Sequence, residues 1–375
     1  MADSGQSPVS PGAGLSSSMA PAKLAAQTST APPAPDDQSY DDDGDVDMWN
    51  GGGEFRVLEA DPDIDSTLGD DSDSFTTSLN SLVTHYKFEN GRRYHAYHDK
   101  KYALPNDDAE VQRLELQHRI WHLCLSGRLH LAPLPKEIGS ALDLGCGTGA
   151  WAIDFAELHP ECHVIGTDLS PIQPTMVPPN VEFLIDDFTN PWLYPSRFNY
   201  IHSRMITIAH LNWAKLIDEC WRNLEPGGWV EFQEYSGTFR CDDGTFSRAP
   251  DLQKWDGAMQ EACEKIGIDL TAVMRVDQLF QDRGFVNIQS AHTKWALGTW
   301  PKGAREKEIG RLFARNIISG AEGLSTRLLT KVLGWPIEKV NAAVNAAEND
   351  IKAGKAHCYF GIEFKWAQKP FDAHD

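Results

Sequence analysis

The chain has 375 residues, 41% of them hydrophobic, and a formal net charge of -20. That length supports a substantial buried core, and the charge excludes a basic nucleic-acid-binding surface as the default reading. Its seven cysteines are odd in number and form no C-x-x-C pair, so neither a disulfide framework nor a zinc ribbon is expected, and no metal site is assigned. No apolar run approaches the roughly 18 residues of a membrane span, and no signal-peptide pattern opens the chain. The expectation is a cytoplasmic or nuclear protein with no membrane association and no direct nucleic-acid binding.

The charge is concentrated at the start. Residues 1–75 hold sixteen Asp/Glu against Lys23 and Arg56, a net of -14, which leaves -6 for the other 300 residues. With its Ser, Pro, Ala and Gly content and few large apolar side chains, the stretch 1–78 reads as a disordered acidic tail. Short acidic-hydrophobic patches around Met48-Trp49 and Phe55 to Leu58 are its candidate partner-binding segments.

Residues 79–135 read as an N-terminal arm and a lead-in helix. The helix is predicted over 109–125, after the cap candidates Asn106, Asp107 and Asp108, with Val111, Leu114, Ile120, Leu123 and Leu125 at mostly helical spacings. From 136 to 370 strands and helices alternate. Ser140 to Leu144 is a short strand running into the glycine turn Gly145-Cys-Gly-Thr-Gly149, and Ala150 to Leu158 is a helix stopped by His159-Pro160. Further strands are predicted at 163–167, 181–185, 198–202 and 229–233. A helix before the last of these carries Trp213, Leu216, Ile217, Cys220 and Leu224 on one stripe, and Pro226-Gly227-Gly228 is its expected stop. The fold class that follows is α/β, a doubly wound parallel sheet.

Two closing strands are expected at 285–290 and 358–365, the last antiparallel, with a helical insertion between them over 303–355. Three apolar stripes divide the insertion: Ile309, Leu312, Phe313 and Ile317 before Gly320; Leu324, Leu328 and Val332 before Gly334; and Ile337 to Ile351 after Pro336. With the apolar segment 252–268, the insertion is expected to roof an acceptor site, and Phe313 and Trp335 are its first candidate lining residues.

In such a fold the chemistry sits at the carboxyl ends of the strands, where strand order reverses. Asp143, Gly145, Gly147, Gly149 and Asp168 all map there. The glycines let backbone N–H groups approach a ligand, and an acid at the end of the second strand suits a ribose diol. The loop satisfies both G-x-G-x-x-G/A and D-x-G-x-G-x-G, so its spacing leaves a nicotinamide dinucleotide open. Asp143, two residues before the first glycine, suits an ammonium group and repels a pyrophosphate, and the pair Asp186-Asp187 is placed to accept from an adenine amine. Both favour S-adenosyl-L-methionine.

The run Ala141 to Asp154, Gly166 to Pro174 with its Asp-Leu-Ser-Pro-Ile-Gln-Pro, Val177-Pro-Pro-Asn180, Ile201-His-Ser-Arg204 and Leu224 to Glu231 resembles the fungal LaeA-like (TAM-domain) branch of class I methyltransferases. Gly91 to Tyr97 and Tyr102 to Asp107 extend the resemblance upstream. It implies a seven-stranded methyltransferase sheet with Asp143 and the three glycines around the methionine part of the cofactor, Asp168 at the ribose and Asp187 at the adenine. Methyl transfer from a sulfonium needs alignment and, where the acceptor carries a proton, a base. His202 and Glu234 are the candidate catalytic residues, with Arg204 and His210 also following the fourth strand and Glu231 on the fifth. Tyr94, with His95 and Tyr97, is a candidate to close over the cofactor. The family covers methyltransferases of biosynthetic clusters, acting on a small-molecule or peptide acceptor, and nuclear regulators of secondary metabolism that work with velvet-type partners. Both function classes follow from the resemblance.

Overall fold

The computed structural model describes residues 86–94, 104–209 and 211–373. The expected tail 1–78 lies outside the described residues, as do His95, Tyr97, Tyr102 and His210.

A hairpin comes first, β1 (Lys87–Glu89) and β2 (Arg92–Tyr94), paired antiparallel. Asn90 and Gly91 turn it, both with positive φ, as a two-residue hairpin loop requires. The sequence reading gives no strand here, although Asn-Gly is the strongest short hairpin signal. Helix α1 (Asp108–Cys124) follows, capped by Asp107, whose carboxylate accepts from the Glu110 N–H at 3.1 Å.

The main sheet contains β3 (Ser140–Leu144), β4 (His163–Asp168), β5 (Val181–Ile185), β6 (Phe198–Arg204), β7 (Leu224–Tyr235), β8 (Arg240–Cys241), β9 (Val286–Ala296) and β10 (Cys358–Gln368). Its long strands run in the order β5-β4-β3-β6-β7-β10-β9, with β5, β4, β3, β6 and β7 parallel and β10 antiparallel to both its neighbours. The two-residue β8 pairs with the start of β10, an addition to the seven expected strands. Strand order reverses at β3, which lies between β4 and β6, so the crevice opens at the carboxyl ends of these strands.

Alternate residues of the strands feed two cores. Ala141, Val164 and Tyr200 face Trp121 of α1, Phe155 of α2 (Ala150–Leu158) and the helices of the later segments. Leu142, Ile201 and Val230 face Ile217 of α3 (Trp213–Asn223) and Phe280 of α5 (Val276–Arg283). Both faces of the central strands are thereby covered, as parallel strands with helical crossovers require.

Two expected helix ends are corrected. Helix α3 ends at Asn223, and β7 begins at Leu224, so Pro226-Gly227-Gly228 forms an irregularity inside the strand where the register with β6 shifts. Gly320 ends nothing: it lies inside α6 (Ala304–Arg327), where a Cβ would come within 2.6 Å of the Arg113 side chain. That glycine admits α1 against α6. After a π turn over Leu328–Val332 and Gly334, α7 (Ile337–Ala353) completes the insertion, and α4 (Pro250–Lys265) packs beside it.

Gly310 and Gly257 give opposite expectations. A Cβ at Gly310 would overlap the Gly298 carbonyl oxygen, whereas one at the exposed helical Gly257 meets nothing within 4 Å. Gly310→Ala is expected to destabilise by about 1–3 kcal/mol through overpacking, and Gly257→Ala to stabilise by about 0.5–1 kcal/mol through helix propensity. Denaturant unfolding of both variants checks the pair.

Candidate active site

The parallel register sets a polar row across the centre of the sheet. Asp143 of β3 is paired with His202 of β6, and His202 with Glu231 of β7. All three are buried. His202 Nδ1 lies 2.7 Å from Asp143 Oδ1, and its ring stacks on Trp151 of α2 at 3.7 Å between centroids. Burial drives both members of this pair toward their neutral forms, the carboxyl up and the imidazole well down. Glu231 accepts the backbone N–H groups of Leu131 and Ala132 at 2.9 and 2.7 Å, fixing the segment that leads into β3.

Other carboxylates at strand ends hold the loops of the crevice. Glu234 accepts from the N–H groups of Ile206 and Thr207 and from the Thr207 hydroxyl, at 2.9, 3.0 and 2.7 Å, and burial pushes its carboxyl up to about 7. Asp168 accepts from Gly147 N–H through Oδ2 and from Ser170 N–H through Oδ1, each at 2.9 Å. Gln173 completes that corner by donating to the Gly147 carbonyl at 2.6 Å and the Ser170 carbonyl at 2.9 Å. The glycine loop and the loop after β4 are therefore one bonded unit.

Gly147 and Gly149 are needed for different reasons. Both have positive φ, a region that costs other residues roughly 1–2 kcal/mol. A Cβ at Gly147 would meet only Leu114 Cδ1, at 3.5 Å, and Gly147 lines the cavity, so a side chain there takes ligand space. A Cβ at Gly149 would overlap the Phe183 ring, so a side chain there displaces β5.

Above the strand ends lies the main cavity. Three helices each give it one face at helical-stripe spacing, i, i+3, i+4, i+7 in α1 and α4 and i, i+3, i+4, i+11 in α6. Glu110, Arg113, Leu114 and Gln117 come from α1, Asp256, Met259, Gln260 and Cys263 from α4, and Phe313, Asn316, Ile317 and Leu324 from α6. Gly145, Gly147, Asp168, Arg204 and Tyr235 form its floor on the sheet side. A small adjoining cavity shares Gly145, Gly147 and Arg204 and adds Asp143, Cys146 and His118. The α1 and α6 walls are bolted together: Arg113 makes two bonds to Glu110, at 2.9 and 2.7 Å, and donates to Asn316 Oδ1 at 3.2 Å. Asn316 in turn donates to the Arg113 carbonyl at 2.9 Å.

Arg204 stands where the two cavities meet. Its Nε donates to Gln233 Oε1 at 3.1 Å and its Nη1 faces His118 Nδ1 at 3.3 Å, while burial lowers its pKa to about 10, leaving it cationic at neutral pH. His118 and His122 both direct Nε2 at Asp154 Oδ2, at 2.9 and 2.8 Å. A metal-ligating histidine usually donates its second nitrogen to an acceptor. Here that nitrogen of His118 receives an arginine donor, so the trio orients Arg204.

The sequence-predicted residues divide accordingly. Gly145, Gly147 and Asp168 meet at the main cavity and Asp143 at the adjoining one. His202 and Glu234 line neither; both are fully buried and bonded inside the protein. Asp187 is only 2% exposed and accepts from Thr189 N–H and hydroxyl at 3.0 and 2.6 Å, which turns it into its own loop. Tyr94 is buried beneath the Arg327 guanidinium, 3.7 Å from its ring centroid, against the end of α6. Phe313 lines the cavity; Trp335 does not, and instead carries Lys339 over its ring. The reading missed Asp256, Gln260, Glu110 and Asn316, although their helical spacing to neighbouring lining residues was available.

A family profile described as a methyltransferase domain matches residues 116–290. Methyltransferase pytC of Aspergillus terreus is 36% identical over 315 residues, covering 84% of this chain and 96% of that protein. The secondary metabolism regulator LAE1 of Cochliobolus heterostrophus is 34% identical over 289 residues, covering 75% and 94%. The chain belongs to the LaeA-like methyltransferases of fungi. Among solved structures similar to this LaeA-like methyltransferase is phosphoethanolamine N-methyltransferase 2 of Haemonchus contortus, with 15% identity and a TM-score of 0.42 over 79% of this chain and 73% of that one. Among the described residues of the methyltransferase no helix is long and apolar enough to cross a membrane.

The glycine geometry yields a two-variant prediction. Gly147→Ala is expected to weaken S-adenosylhomocysteine binding by tenfold or more while lowering stability by only about 1–2 kcal/mol. Gly149→Ala is expected to lower stability further, through Phe183. Calorimetric titration beside thermal unfolding separates the two effects.

Proposed function

We propose that this LaeA-like methyltransferase takes S-adenosyl-L-methionine against Gly145, Gly147 and Asp168 and methylates a small molecule or peptide of fungal secondary metabolism held beneath α4 and α6. One observation carries the reading. The glycine loop and Asp168 open into the same cavity that the aromatic faces of the later helices enclose, so a donor wall and an acceptor wall face one space.

The residues fit the donor. A carboxylate beside the glycine loop suits a ribose diol, the open Cβ position of Gly147 leaves room for close approach, and the cationic Arg204 offers a partner to the carboxylate of an amino-acid end. When bound, this cofactor supplies an electrophilic methyl group on a sulfonium. The protein's part is to align the partners and exclude water, for which no elaborate machinery is needed. In this reading Glu234 fixes the loop after β6, Asp143 and His202 brace the sheet under the glycine loop, Asp187 shapes the turn after β5, and Tyr94 seats the hairpin on α6.

The second reading is a nuclear regulator of secondary-metabolite gene clusters that works through a velvet-type partner. Its support is the 34% identity to a protein named as a secondary metabolism regulator. Metabolite profiles of cells with and without the gene separate the two. A restricted set of compounds that lose one methyl group on deletion supports the enzyme; broad transcript changes across clusters without such a pair support the regulator. For the cofactor, Asp168→Ala is expected to weaken S-adenosylhomocysteine by roughly 1–3 kcal/mol through loss of a charged acceptor. Unchanged affinity, measured by titration calorimetry, would remove Asp168 from the site.

A further inference from the structure

Asp256 is the charged group of the cavity whose role the donor does not explain. It lies on the inner face of α4 and is only 7% exposed. Its Oδ2 accepts from the Gln260 amide at 2.8 Å, and the Phe239 backbone N–H provides a further bond. The other charged groups facing the cavity are engaged: Glu110 with Arg113, Asp168 with two backbone N–H groups, Arg204 with Gln233 and His118. Among the described residues no Lys, Arg or His forms an ion pair with Asp256. Burial raises its carboxyl to about 6, so it is mostly anionic at neutral pH.

The cavity that this carboxylate lines also carries aromatic side chains. Tyr235, Phe239, Trp255, Phe313 and Phe360 line the same cavity. The rings are packed on one another, Phe239 on Phe360 at 4.4 Å and Phe313 on Phe360 at 5.2 Å between centroids, so the wall is preformed. Trp255 is pinned by its indole N–H, which donates to Ser325 of α6 at 2.7 Å. A buried carboxylate without a cation is costly, and a ring of aromatic faces attracts one. An anionic ligand meets repulsion here, and a purely apolar one leaves the carboxylate desolvated.

Resting on the methyltransferase reading, we infer that the acceptor is an arylalkylamine, an apolar ring-containing molecule whose alkylammonium group pairs with Asp256 between the aromatic walls. The roof helices thereby select the substrate class, while the glycine loop and Asp168 serve only the cofactor.

Three probes of matched shape test this on the full chain saturated with S-adenosylhomocysteine: tryptamine, the neutral tryptophol and the anionic indole-3-propionate. Titration calorimetry is expected to rank tryptamine about tenfold tighter than tryptophol, with the propionate weakest. Asp256→Asn is expected to erase the advantage of tryptamine without changing S-adenosylhomocysteine affinity, and Asp256→Glu to retain part of it. Tryptophol binding as tightly as tryptamine, no binding by tryptamine, or an amine preference that survives Asp256→Asn would overturn the inference. Cofactor affinity, read in the same samples, keeps the two ideas apart: if S-adenosylhomocysteine itself does not bind, the methyltransferase reading fails first.

Discussion

Backbone N–H groups released at strand ends must be satisfied somewhere, and this protein satisfies many of them with carboxylates rising from the sheet. Glu231 takes those of Leu131 and Ala132, Glu234 those of Ile206 and Thr207, and Asp168 those of Gly147 and Ser170. A loop that borders a ligand cannot be held by ladder hydrogen bonds, because its backbone must face the crevice. A buried carboxylate solves this, since each bond to a charged acceptor contributes roughly 1.5–3 kcal/mol against the cost of desolvation. The cavity floor depends on these bonds. Removing any one of the acids leaves at least two orphaned backbone donors and loosens the segment they hold.

On that floor the helices assemble a chamber. Helix α1 lies more than a hundred residues before α4 and α6 in sequence, yet Arg113 bonds Asn316, Trp255 bonds Ser325, and glycines at 310, 320 and 323 let backbones and side chains approach closely. The polar bonds sit between helices that also share apolar contacts, which fixes their register as well as their proximity. Two jobs are thereby assigned to two parts of the chain. In the proposed function the five parallel strands and their loops, complete by Tyr235, carry the donor chemistry in local sequence order, and the appended helices carry selection of the acceptor.

That division explains what the sequence disclosed. The five parallel strands, the helices at 109–125, 150–158 and 213–223, and the closing antiparallel strand were legible because their hydrophobic periods and stop signals are local. So was the meeting of Gly145, Gly147 and Asp168 at one cavity, which depends on spacing within thirty residues. His202 and Glu234 were assigned by strand position alone. Whether such a residue faces a crevice or a packed neighbour is decided by distant partners, Trp151 and Asp143 in one case and the 206–207 loop in the other. Asp256 was hidden for the same reason: a single acid in an amphipathic helix reads as solvated until aromatic residues from distant strands, loops and helices are placed in the same cavity. Gly320 read as a stop because the side chain it accommodates, Arg113, lies 207 residues away, the difference of the two residue numbers.

Hydrogen exchange of the full chain with and without S-adenosylhomocysteine tests the central claim most directly. The account predicts new protection in the bonded corner formed by residues 145–149 and 168–173, spreading to the loop at 204–208 that Glu234 holds. Exchange unchanged at that corner under saturating ligand, or protection confined to the outer β9 and β10 strands, would contradict it.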